Sequence, residues 1–428
     1  MNINNPSQLY AGIDIGTSGV RCTVIDAKKN ILQESRVEYI SLDNPTTKDW
    51  WESVKTCLFE LSPSIRSQIG YLSIDGTSGT VVLTDKQGEP LSMPLMYNDA
   101  RAVKQAKTIA EYAPKTSTAN SVNTSLARIL WLLSEYGLSS QECYFVHQTD
   151  FIIGKLTGLY NRSDENNALK LGYDCSNNCW PAWLAQLGLD VTSLPVVNKP
   201  GDYVAPVLND VANDLGLYQG LIILAGTTDS IAAFNATGVA QTGIGVTSLG
   251  STLVIKMMAD KPIVDTQRGV YSHQFNNQWL VGGASNCGAK ILREYFTDSE
   301  LVTLSKQMRT SQRLAYGYYP LSGKGERFPI LDPDKPPILQ PRPPEDYLFL
   351  QGLLEALAEL EQSAYQTLYE LGAPKLQKIM TVGGGAKNPQ WSDIRKNIIG
   401  VPVERVKNSE ASFGMALLSL RHYKNHHA

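Results

Sequence analysis

The chain has 428 residues, 43% of them hydrophobic and 18% charged, with a formal net charge of −3. That length holds two or three units with real cores, and the composition is that of an ordinary globular protein. Nucleic acid is excluded as the main partner, because no basic excess is present to neutralise phosphates. The six cysteines form no paired framework and read as reduced thiols. Cys175 and Cys179, the one close pair, fit neither a Cys-x-x-Cys redox site nor a zinc knuckle. No basic stretch followed by an apolar core opens the chain, and no apolar run reaches the roughly 20 residues of a membrane span. A cytoplasmic protein with no membrane partner is the expectation.

Residues 10–15 read as a strand, Gly16-Thr17-Ser18-Gly19 as a tight turn, and the β-branched, alternating residues 20–26 as a second strand. Glycine allows close backbone approach and positive φ, so successive N–H groups of such a turn point at an anion such as phosphate. A dinucleotide fold or a P-loop would run from its glycines into a helix. Here the chain turns back as a strand and turns again at 27–30 into a third strand at 31–40. Asp14 stands at the rim of the first turn. A carboxylate beside a phosphate-sized turn suggests a nucleotide held with a divalent cation; the plainer alternative is a hairpin in which Asp14 caps a turn.

Helical spacing covers 50–61, and a strand at 69–74 ends in Asp75-Gly-Thr-Ser-Gly-Thr80, which echoes the first turn. Turns at the ends of neighbouring strands line a common rim in an open sheet. A strand at 81–84 and a turn from Asp85 to Gly88 follow, and 94–97 leads into Asn98-Asp99-Ala100-Arg101. Helices are predicted at 121–136, 150–156, 181–187 and 209–215, with polar loops at 159–167 and 172–179. A strand at 221–224 then ends in Ala225-Gly-Thr-Thr-Asp229. The pattern begins again with strands at 245–249 and 253–258 around Gly250-Ser251-Thr252, extended by 269–275 and 278–281. The proline-dense 329–344 reads as a surface connection before a helix at 348–371. A strand at 378–382 ends in Gly383-Gly384-Gly385-Ala386, and Asn388 opens a helix carrying Trp391. The order of elements makes two similar halves, drawn as domains 1–230 and 231–428.

Five segments in this order resemble the FGGY carbohydrate kinases. They are Gly12-Ile-Asp-Ile-Gly-Thr-Ser18, Ala225-Gly-Thr-Thr-Asp-Ser230, Ser248-Leu-Gly-Ser-Thr252, Gly325-Glu-Arg-Phe-Pro-Ile-Leu-Asp-Pro333 and Val382-Gly-Gly-Gly-Ala-Lys-Asn388. The resemblance implies an α/β protein of two ribonuclease-H-like domains, of the actin, hexokinase and heat-shock ATPase type, with an interdomain cleft. The first domain would bind sugar and phosphate and the second the nucleotide. Phosphoryl transfer needs position, a metal and a base rather than a covalent step. By resemblance Asp229 is the general base, although an N-cap at the following helix is its plainer role. Asp14 would organise the Mg²⁺ of ATP, through water because Mg²⁺ keeps much of its hydration shell. Gly16, Thr17 and Ser18, with Gly250, Ser251 and Thr252, would cradle phosphates. Gly383, Gly384, Gly385, Ala386 and Asn388 would take the adenosine, with Trp391 either packed there or in the core.

The acceptor is expected in the first domain. Asp75-Gly-Thr-Ser-Gly-Thr-Val-Val-Leu departs from the Gln-Met-His-Gly segment of xylulose kinases and looks closer to a ribulose-kinase type. D-ribulose is therefore the expected substrate and D-xylulose the alternative. Ser78 is the lead contact, with Asp14 and Asp229 near the reacting hydroxyl. Lys170 and Asn98 are further contacts, each with a bland alternative: a solvated lysine, and a salt-bridged cluster of Asn98, Asp99 and Arg101. Arg128 stands where the family's Lys-x-x-Trp pattern has lysine. The chain is shorter than the family norm, and a monomer or homodimer is expected. A non-catalytic sugar or nucleotide sensor and a chaperone-like or filament-forming ATPase are the other classes. The second lacks a spare segment for peptide or polymer contacts, and the phosphate turns and both aspartates argue against the first. His147 and His273 read as ordinary packing or surface residues, and the tail His422, His426 and His427 as an adventitious metal site at most.

Overall fold

The computed structural model describes residues 8–39 and 45–427, so the opening heptapeptide and Ile40 lie outside the described residues. The chain divides into two compact units, Met1–Gly238 with Asn408–Ala428, and Val239–Lys407.

The first unit begins with β1 (Leu9–Ile15), β2 (Gly19–Ile25) and β3 (Ile31–Glu38), then α1 (Thr47–Phe59), a short α2 (Pro63–Arg66), β4 (Ile69–Gly76) and β5 (Val81–Thr84). It continues through α3 (Val103–Tyr112), α4 (Ser125–Tyr136), β6 (Tyr144–His147), α5 (Gln148–Thr157), β7 (Arg162–Asp164) and α6 (Glu165–Ala168). β8 (Val196–Asn198), β9 (Tyr203–Pro206), α7 (Asn209–Leu215), β10 (Ile222–Leu224), β11 (Thr227–Thr228) and α8 (Asp229–Ala236) complete that stretch. The main sheet has the order β3-β2-β1-β4-β10-β9, with β11 also pairing with β4. β1, β2 and β3 form an antiparallel meander, whereas β1 with β4 and β4 with β10 are parallel. β1 and β4 are buried along their whole length, as expected of central strands covered on both faces. α4, β5 and β6 belong to a separate smaller core that includes Val81, Leu83, Leu126, Ile129 and Phe145.

The second unit repeats the plan with β12 (Ile244–Leu249), β13 (Leu253–Ala259), β14 (Tyr271–Phe275), β15 (Gln278–Ser285), α9 (Lys290–Tyr295), α10 (Asp298–Ser305) and α11 (Asp346–Glu370). β16 (Lys378–Val382), α12 (Pro389–Ile399) and β17 (Val403–Arg405) follow. Its sheet runs β14-β15-β13-β12-β16-β17, antiparallel up to β12 and parallel beyond it. Under the sheet, Arg395 of α12 donates through Nε and a terminal nitrogen to both oxygens of Glu361 on α11 at 2.6 and 2.7 Å, and through its other nitrogen to Thr381 at 2.8 Å. Such a paired and fully bonded charge is tolerable inside a protein; removing one partner strands the other.

Most predicted elements recur within a few residues. The polar stretch 159–167 is not a plain loop: it holds β7 and the start of α6, because the Asp164 carboxylate accepts from the N–H groups of Asn166 and Asn167 and caps the turn. Residues 182–187 form a 3-10 helix in place of the expected α-helix.

The last helix, α13 (Ala411–His427), lies with the first unit. It packs on β1 and α8, and Ser419 Oγ donates to the Ala11 carbonyl at 2.8 Å. Contact is so close that a Cβ built at Gly12 falls 2.1 Å from the Ser412 carbonyl oxygen and 2.2 Å from the Ala416 nitrogen. Both are backbone atoms and cannot rotate away. Gly12→Ala is expected to destabilise the protein by about 3 kcal/mol or more in denaturant unfolding, the upper range for overpacking. Gly384→Ala, where a Cβ meets nothing within 4 Å, should stay within about 0.5 kcal/mol of wild type.

Candidate active site

Register decides what meets at the ends of the first unit's strands. Parallel pairing sets Asp14 of β1 opposite Asp75 of β4, and Thr227 of β11 opposite Asp75 on the other side, so that Asp229 follows immediately. Three carboxylates from segments far apart in sequence are thereby drawn to one rim. Asp14 is 4% exposed and Asp75 fully buried, while Asp229 is half-buried at the start of α8. Arg21, on the neighbouring β2, donates to Asp14 Oδ2 at 2.9 Å. Burial pushes the Asp14 carboxyl up from the ordinary aspartate range, and Arg21 partly opposes the shift. Asp75 is driven well above that range by burial first and then by the charges of Asp14 and Asp229. Among the described residues no amide, hydroxyl or cationic group donates to either Asp75 oxygen; its near neighbour is the Asp14 carboxyl.

The Gly16–Ser18 turn sits directly above. Gly16 N–H donates to the Gly19 carbonyl at 2.9 Å, and Thr17 and Ser18 are exposed at the tip. A Cβ at Gly16 would lie 3.8 Å from Asp14 Oδ1 and 3.9 Å from the Arg21 guanidinium, so the space over the glycine borders both charges. In the second unit Gly250 N–H donates likewise to the Thr252 carbonyl at 3.2 Å, with Ser251 exposed. Gly383 takes φ +86° against the Leu249 backbone, Gly384 is exposed, and a Cβ at Gly385 would strike the Trp391 ring at 2.4 Å. Ala386 and Trp391 are buried, and the indole lies in the core beneath the glycine turn. Asn388 caps α12 by accepting from Trp391 N–H and donates to Ser305 Oγ at 2.8 Å.

The segment after β4 is gripped from three sides. Gln148, at the start of α5, accepts from both the N–H and the hydroxyl of Thr77 at 2.9 and 2.7 Å. Lys170 Nζ donates to the Ser78 carbonyl at 3.3 Å, which brings two of the predicted acceptor contacts together. Arg128 donates to the Gly79 carbonyl at 2.9 Å and also to the carbonyls of Tyr97 and Asp99, on either side of exposed Asn98. The Asp99–Arg101 ion pair, 2.8 Å, lies with its guanidinium over the Trp131 ring. That pair ties the segment down.

Sequence reasoning missed Arg21 and the buried polar group around Asp75. Asn166 donates to Thr227 Oγ1 at 2.9 Å, and the Gln148 amide nitrogen and the Asn166 and Asn167 amide oxygens are buried without partners among the described residues. Such atoms ordinarily meet ordered water or a polar ligand. The signal available was Gln148-Thr149 immediately before an apolar helix. His147 is wholly internal, with Nδ1 2.9 Å from Asp150 and 3.3 Å from Ser163 Oγ. Of the tail histidines, His422 and His427 bond to the Gly201 carbonyl and Tyr71, and among the described residues no three potential ligands gather for a metal. Among the same residues no helix is long and apolar enough to cross a membrane.

Two mixed sheets of one plan, each with a glycine turn after its central strand, define the class of the actin-like ATPase folds. The chain belongs to the FGGY family of carbohydrate kinases: the family's N-terminal domain model matches residues 9–235 and its C-terminal domain model residues 245–423. A xylulose kinase of Staphylococcus epidermidis is 22% identical, covering 96% of this chain and 87% of its own. Among solved structures, a xylulose kinase from Brucella ovis superposes with a TM-score of 0.88 at 21% identity, over 98% of this chain and 91% of its own. A gluconate kinase from Lactobacillus acidophilus gives 0.86 at 17% identity, over 98% and 90%.

Asp164, fully buried beside Asp150, is pushed up to about 8, chiefly by desolvation. A raised acid favours the folded state while it is protonated, so its contribution is complete below about pH 4 and is lost as pH rises through 8. Asp164→Asn is expected to gain stability relative to wild type progressively across that window in urea titrations at stepped pH. A pH-independent difference would contradict the burial argument.

Proposed function

We propose that the chain transfers the γ-phosphoryl group of ATP to a hydroxyl of a ketopentose. The observation that carries the reading is the convergence of Asp14, Asp75 and Asp229 at the strand ends beneath an open glycine turn. Asp229, half-buried at the start of α8, is the group that accepts the hydroxyl proton. The exposed Thr17 and Ser18 and the open face of Gly16 offer donors to phosphate oxygens, as do Gly250 to Thr252. Gly383 to Ala386 and Asn388 are the proposed nucleoside contacts, with Trp391 supporting the turn from below. The residues also fit Mg²⁺ delivered with ATP. Two neighbouring carboxyls at the rim, Asp14 beside the Gly16 turn and Asp75 behind it, suit an ion held mainly by phosphates and water. When bound, the ion neutralises charge on the transferring group. Arg21 keeps the Asp14 carboxylate oriented, and Ser78, Lys170 and Asn98 surround the acceptor.

The names of the relatives favour D-xylulose, so it heads the acceptors to test. D-ribulose is the second reading, favoured by the Asp75–Thr80 segment, where Asp75 and Ser78 replace the Gln-Met-His-Gly pattern. A buried polyol contact left unpaired is costly, so one of the two should be strongly preferred.

Coupled ADP release with Mg·ATP should depend on one ketopentose from a panel of D-xylulose, D-ribulose, L-ribulose, gluconate and glycerol. Asp229→Ala should lower kcat by about 10² to 10⁴ or more, the range for a lost general base. Hydrolysis indifferent to every acceptor, or untouched by that substitution, would refute the assignment.

A further inference from the structure

Arg128 is fully buried on α4, and among the described residues its guanidinium makes no ion pair; the Asp99 carboxylate is engaged by Arg101 instead. A buried cation without a partner is costly unless its donors are fully used. Here each of its three nitrogens donates to a backbone carbonyl, from two segments: Gly79 at 2.9 Å, Tyr97 at 2.5 Å and Asp99 at 3.0 Å. Only the planar guanidinium projects donors in three fixed directions. Gly79, at φ +94°, accommodates it: a Cβ there would lie 3.1 Å from a terminal nitrogen of Arg128. One helical turn later Trp131 supports Arg101, so α4 holds the 97–101 strap at two points.

We infer that Arg128 is a positioning residue that sets the distance between Ser78 and Asn98 and thereby the affinity for the acceptor. The inference rests on the kinase reading above. Ser78 directly precedes a carbonyl held by Arg128, and Asn98 lies between two of them. Loss of the fork withdraws a bond from each segment at once and leaves them joined, among the described residues, only by Tyr97 N–H on Thr80 Oγ1 at 3.0 Å and the Val81–Leu95 bridge, while the glycine turn at Gly16–Ser18, between β1 and β2, keeps its own bonds. The effect should therefore fall on acceptor binding and spare ATP.

Steady-state kinetics of Arg128→Gln, Arg128→Lys, Asn98→Ala and the Arg128→Lys/Asn98→Ala double variant test this. Arg128→Gln should raise acceptor KM about tenfold or more and Arg128→Lys about threefold, with the KM for ATP within about twofold. In the Arg128→Lys background, Asn98→Ala should have a smaller effect than in wild type, because both act through one element. Should Arg128→Gln fail to fold, the lysine variant and the double variant decide alone. Unchanged acceptor KM in Arg128→Lys, equal rises in both KM values, or effects that simply multiply would overturn the inference. A wild-type chain without acceptor-dependent turnover would instead overturn the kinase reading, and the inference with it.

Discussion

Parallel pairing of β1 with β4 is the constraint from which the rest of the first unit follows. It forces Asp14 and Asp75 into neighbouring positions at the end of a buried sheet, where two like charges repel and water is scarce. The surroundings answer that problem piecewise. Arg21 pairs with the outer carboxyl, burial pushes the inner one well above the ordinary aspartate range, and an adjoining set of amides and hydroxyls from α5, α6 and β11 supplies a polar lining. A rim that gathers three carboxyls around a single arginine is costly to build.

The second unit solves a different problem with the same topology. Its strand ends carry glycine turns and no acidic pair, and its ionic group lies inside, where Glu361 and Arg395 lock α11 to α12 beneath the sheet. One architecture thus carries charge at the rim in one copy and in the core in the other. Antiparallel strands leading to a central strand with a parallel neighbour are shared, although the edge strands differ, because that arrangement follows from hydrophobic pattern and turn chemistry. The placement of charge is not, because it depends on single residues at strand ends.

That difference explains what could be read from the sequence. Repeated strand, turn and strand segments were legible, since alternation and small-residue turns are local signals. Asp14, Asp229 and the glycine turns were legible by their place in those segments. The pairing of Asp75 with Asp14 required the register of two strands 60 residues apart, which no local pattern encodes. β7 and α6 were hidden because they are short and polar, and a single cap holds them. Arg128 looked like a lysine substitute on a helix; its role emerges only once the carbonyls of residues 79, 97 and 99 are seen around it.

The return of α13 to β1 has a consequence for how the protein is made. Gly12 precedes the whole second unit in the chain and Ala416 follows it, yet they touch. The face of β1 that α13 covers stays bare through synthesis of the whole second unit, which can close on its own sheet first. Order of emergence and order of completion are therefore reversed: the unit begun first is finished last, and an apolar surface around Tyr10, Tyr71 and Leu224 waits for Ala416 and Leu420.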